Sequence, residues 1–133
     1  MPKLNPIAII AASVAFYLIG FLWYGLIFSD AWMSAHGLTA EDAENQSPIW
    51  MALGFVITVM QVIGLACVLK WKGASGVAAA AKTAALLWLF LALPFSGYAY
   101  IYLTSHDATL LMIDASHMLV GWIVSAVVLS LFK

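Results

Sequence analysis

The stretch LLMIDASHMLVGW, residues 110–122, sets an aspartate and a histidine three positions apart in an otherwise apolar run. Positions i and i+3 of a helix are neighbours, so Asp114 and His117 could share a hydrogen bond, handle a proton or bind a ligand. Inside a membrane an unpaired charge costs at least about 2.5 kcal/mol on insertion scales. The pair therefore needs polar company, and the sequence leaves its protonation states open. As a structural unit the two residues would hold helices together; as a functional unit they would mark a pathway or a binding site.

The chain around them is built for lipid. Of 133 residues, 65% are hydrophobic and only 8% charged, and the mean hydropathy is +1.05. A water-soluble domain needs far more charge to cover its surface. A hydrocarbon core roughly 30 Å thick takes about 20 helical residues to cross. Four apolar runs meet that length, at 7–28, 49–69, 79–103 and 108–132. They are unbroken rather than alternating, which excludes barrel strands and leaves helices. The expected fold is an all-α integral membrane protein: a four-transmembrane-helix bundle forming one domain over 1–133, with an outer loop at 29–47. The first run exceeds the roughly 7–15 apolar residues of a signal peptide and is expected to be retained. Cys67 is the only cysteine, so it is read as packing.

Charge predicts the topology. Lys3, Lys70, Lys72, Lys82 and Lys133 fall at the two termini or between runs two and three, whereas Asp30, Glu41, Asp42, Glu44 and Asp107 fall in the other two connections. By the positive-inside rule both termini are cytoplasmic, in the inner membrane. Ser47-Pro48 supplies an N-cap and a first-position proline for helix two, Asp107 or Ser105 would cap helix four, and Thr39 with Asp42 resembles a capping box. Trp32 and Met33 suit the headgroup interface. Pro94 removes a backbone donor and is expected to kink helix three. Lys70, Trp71, Lys72 and Lys82 read as interfacial anchors, with anionic-lipid binding as the other reading.

Small and polar residues mark helix faces that pack together in lipid. Ser13, Tyr17, Gly20 and Tyr24 form one such stripe; Gly54, Thr58, Gln61 and Leu65 a second; Asp114, His117, Gly121 and Ser125 a third. Counting about 1.5 Å per residue from the helix ends puts Tyr17, Thr58, Tyr98, Asp114 and His117 in one polar layer of the outer half, with Gln61 just deeper. Gly121-x-x-x-Ser125 offers a small-xxx-small contact, and Trp88 and Trp122 lie far from either interface. Both features point to a homo-oligomer.

The segment GFLWYGLIFSDAWM carries Gly20, Trp23, Tyr24, Phe28 and Trp32 at spacings that resemble small bacterial membrane proteins of the family known as domain of unknown function 1761. Length and four-run layout are also similar. The chain departs from the family pattern at Gly25-Leu26, where a small residue and proline are frequent, and at Ser29-Asp30, where Gly-Lys is. The resemblance implies a compact four-helix membrane fold and a functional outer end of helix one. It brings no reaction with it.

No P-loop, dinucleotide fingerprint, nucleophile elbow, HExxH or basic nucleic-acid patch is present, so no catalytic residue and no cofactor are named. Three readings stay open. In the first, the protein is a self-associating scaffold or accessory subunit, its polar layer joining helices. In the second, it is an oligomeric proton or small-solute transporter using Asp114 and His117. In the third, metal or haem-type ligation runs through His36, His106, Asp107 and His117. Lipid is the one partner the composition requires.

Overall fold

The computed structural model describes residues 3–37, 39, 41, 47–104 and 106–132. Asp42, Glu44, Ser105 and Lys133, and with them the Thr39–Asp42 capping box, lie outside the described residues. Among the described residues the chain is helical throughout, without strands. Four helices are long and apolar enough to cross a membrane, Pro6–Ile27, Pro48–Lys72, Val77–Tyr102 and Ala108–Leu131. The protein is a multi-pass membrane protein.

Three of the four spans start where a side chain satisfies free N–H groups. Helix α1 (Pro6–Gly20) is capped by Asn5, whose side chain accepts from the amides of Ile7 and Ala8, with Pro6 in the first turn. It continues into a π-helical stretch, Phe21–Ile27. A short helix α2 (Ser29–His36) follows, with Asp30 in its first turn and Gly37 closing it at φ 68°. This helix occupies the first half of the expected loop, where Trp32 and Met33 had suggested an interfacial segment. Helix α3 (Pro48–Lys72) has the Ser47 cap and Pro48 at its start. It outlasts its apolar run by a turn, because the helix stops only where Gly73 takes a left-handed conformation, at φ 69°. There Ala74 donates its amide back to the Leu69 carbonyl at 3.0 Å.

The third span is α4 (Val77–Leu87), a second π-helical stretch (Trp88–Ala92) and α5 (Leu93–Tyr102). Pro94 stands in the first turn of α5, directly after the wider turns; a proline lacks the donor for the preceding turn. Helix α6 (Ala108–Leu131) is capped by Asp107, which accepts from the amides of Thr109 and Leu110.

Helix α6 is the hub. Its largest packing partners are α1 and α4, and it also touches α2, α3 and α5. Small side chains make this possible: Ala115, Gly121, Ser125 and Ala126 are buried along it. The best-buried large residue, Phe16 of α1, is 2% exposed. Its ring lies on Gly121, where a Cβ would sit 2.6 Å from Phe16 Cδ1 and 2.9 Å from Cζ. Tyr24 with Asp114, Gly20 with His117, and Phe16 with Gly121 meet in that order along the two helices, so α1 and α6 run antiparallel. The bundle has an acidic end, with Asp30, Glu41 and Asp107, and a lysine end, with Lys70, Lys72 and Lys82.

Candidate functional site

The two π-helical stretches converge on the same short piece of α6. A π turn takes more residues than an α turn, so consecutive side chains are rotated by a smaller angle and can face one neighbour together. Trp23 and Tyr24 do this. The Trp23 indole donates to Ser116 Oγ at 3.0 Å, and the Tyr24 hydroxyl donates to Asp114 Oδ1 at 2.5 Å. From the other side, within the second stretch, the Trp88 indole donates to the Ala115 carbonyl at 2.8 Å. Residues 114–116 are thus held from two flanking spans.

His117 completes the cluster, without a hydrogen bond to its side chain among the described residues. Its ring meets Tyr24 edge-on at a centroid distance of 5.0 Å and tilts over Phe16 at 5.5 Å. Its Nε2 is buried and has no protein partner. That atom is pressed against Gly20, where a Cβ would come within 3.3 Å of it; glycine is what lets α1 approach. Beyond the cluster the aromatic series continues outward, Trp32 meeting Tyr24 edge-on at 5.8 Å and His36 at 4.5 Å.

Next to Asp114, between α2, α5 and α6, lies a cavity of about 270 Å³. His36, Ser96, Tyr100, Asp107 and Asp114 are among the residues that line it. The carboxylate is therefore reached from the acidic end.

A family model described as a protein of unknown function (DUF1761) matches residues 7–130. The chain belongs to this family. No curated protein and no solved structure matches it. In this family member the residues that carry the resemblance gather at the site: Gly20 and Tyr24 touch His117, Tyr24 bonds Asp114, Trp23 bonds Ser116 beside them and Trp32 packs on Tyr24. Phe28 packs on Trp23 at 5.7 Å and accepts, through its carbonyl, the amide of Trp32.

Several sequence expectations need correcting. Asp114 and His117 are neighbours, yet among the described residues no hydrogen bond or ion pair joins them. The Tyr24 phenol, arriving from another helix, takes the carboxylate instead. The expected polar layer does not close into one network. Tyr17 donates to the Met51 carbonyl of α3 at 3.0 Å, and Thr58 to the Gly54 carbonyl of its own helix at 2.9 Å. Tyr98 is 60% exposed and stacks on Tyr102. Counting residues gives depth but not direction around the helix.

Gln61 accepts the Trp122 indole at 2.9 Å. Trp122 and Trp88 thus both find partners within the chain, and Phe16 lies on Gly121. The two tryptophans and Gly121, which had suggested a homo-oligomer, have contacts within the chain itself. The four candidate metal ligands are spread out: His36 and Asp107 line the cavity beside Asp114, His106 Nδ1 contacts the Tyr100 carbonyl at 2.7 Å, and His117 lies between Tyr24 and Phe16. Among the described residues no group of three His, Cys, Asp or Glu side chains is assembled.

Sequence reasoning overlooked Ser116 and Phe16. Ser116 is the polar residue between Asp114 and His117, and Phe16 shares the α1 face of Ser13 and Gly20; those positions were the available signal.

Proposed function

We propose that this family member is a proton-translocating membrane protein in which Asp114 is the protonatable centre and the α1–α6 seam is the route. The observation that carries this reading is a set of three buried polar atoms, Ser13 Oγ, His117 Nε2 and Ser125 Oγ, that have no protein partner. All three lie on the two facing helices, on the lysine side of Asp114. A buried donor or acceptor without a partner costs about 1–3 kcal/mol, and in hydrocarbon no solvent relieves it. Groups that serve only to join helices are partnered, as Trp23, Tyr24, Trp88 and Trp122 are here. Unpartnered ones fit sites for water or a transferred proton.

In this reading a proton enters through the cavity beside Asp114 and resides on the carboxylate, steadied by Tyr24. It passes to His117, the next polar group inward. Ser13 and Ser125, both fully buried, stand about two turns further along each helix. Between these levels the Phe16 ring lies on Gly121 and closes the seam, so transfer requires the ring to swing. The lysine distribution orients the path, with both termini cytoplasmic and the acidic end outside.

Proteoliposomes enclosing a pH-sensitive dye test the proposal. The intact protein is expected to dissipate an imposed pH gradient faster than empty vesicles, and Asp114→Asn and His117→Ala to abolish the difference while still folding. Equal rates with and without the intact protein would refute it and leave the scaffold reading.

A further inference from the structure

A cavity of about 450 Å³ lies at the lysine end between α1, α3 and α6. We infer that it binds an anionic phospholipid, the acyl chain in the cavity and the phosphate at Lys70. This inference does not depend on the proton reading.

The cavity has two chemistries. Its walls are apolar, including Ala8 from α1, Ala66 and Leu69 from α3, and Leu129 from α6. Its rim carries Lys70 and the turn with Ser75, and among the described residues no acidic side chain lines it. The other polar side chains nearby are already engaged. Asn5 caps α1, Ser130 donates to the Val127 carbonyl, and Lys72, next to the cavity, donates to Thr83 Oγ1 at 3.1 Å. Lys70 alone among these makes no hydrogen bond or ion pair within the described residues.

Interfacial anchoring accounts for a lysine at this depth, but it does not account for a half-enclosed apolar cavity behind the free ammonium. A wall for a hydrocarbon chain with one cation at its mouth complements an anionic amphiphile in both shape and charge. The bilayer that surrounds the protein supplies such molecules at the height of the cavity mouth.

Native mass spectrometry of the full chain, released from mild detergent after titration with phosphatidylglycerol, phosphatidylcholine or inorganic phosphate, tests the inference. Phosphatidylglycerol is expected to be retained in preference to phosphatidylcholine, and Lys70→Gln to weaken its retention about fivefold, the effect of one lysine on an anionic headgroup. Ser75→Trp, which fills the mouth from an exposed turn, should lower retention as well, whereas Lys72→Gln should not. Equal retention of the two lipids, or no effect of Lys70→Gln, would overturn it. So would competition by inorganic phosphate at lipid-like concentrations, which would assign recognition to the phosphate alone.

Discussion

The Tyr24 hydroxyl donates a 2.5 Å hydrogen bond to Asp114 Oδ1, a carboxylate 90 residues further along the chain. This bond joins the aromatic end of the first span to the carboxylate of the fourth. Tyr24→Phe leaves the carboxylate without its phenol donor and is expected to cost about 1–3 kcal/mol. Asp114→Asn keeps an oxygen that accepts from Tyr24 and should cost less. Unfolding midpoints in one mild detergent measure both; a larger loss from Asp114→Asn would contradict this assignment of the bond.

Phe16 and Gly121 give a second expectation. A methyl group at position 121 would overlap the Phe16 ring, so Gly121→Ala should destabilise by about 1–3 kcal/mol, the usual range for overpacking. Combining it with Phe16→Leu makes room for the methyl and should recover part of the loss. A double variant whose loss equals the sum of the two single losses would show that the two side chains do not compete for space.

The orientation can be read by labelling. In a Cys67→Ala background, Ser34→Cys on α2 is expected to react with a membrane-impermeant maleimide applied to intact cells. Ser75→Cys, in the turn between α3 and α4, is expected to react only after the cells are opened. Both residues are exposed, so accessibility reports the side of the membrane. Labelling of position 75 from outside would reverse the topology.

Much of the fold was legible because lipid imposes simple demands on a sequence. Four uninterrupted apolar runs of membrane-crossing length left only helices, and Ser47-Pro48 and Asp107 marked two helix starts through the donors their side chains satisfy. Two of the three small-polar stripes marked faces that meet, since Ser13, Gly20, Tyr24, His117, Gly121 and Ser125 all lie in or beside the α1–α6 contact, although the stripes did not say which helices would pair.

The site was less legible. Spacing along α6 made His117 the natural partner of Asp114, but the actual partner comes from a different helix, and single-sequence spacing carries no information about which helix pair is adjacent. The π-helical stretches were invisible for a related reason: their side chains are locked by tertiary hydrogen bonds from Trp23, Tyr24 and Trp88. Tyr98 was assigned to the bundle interior but is exposed, because a turn count from the helix end does not fix which face meets the bundle.

The account turns on whether Ser13 and Ser125 are kept for stability or for transfer. The direct measurement is proton flux in proteoliposomes of the Ser13→Ala/Ser125→Ala protein beside its unfolding midpoint. Removing two buried hydroxyls that have no protein partner should leave the midpoint equal or raise it, since an unsatisfied polar group is itself a cost, while flux falls by at least about tenfold, equivalent to about 1.4 kcal/mol on the barrier. Unchanged flux, or a lowered midpoint with flux falling only in proportion to the folded protein, would contradict a proton route along this seam.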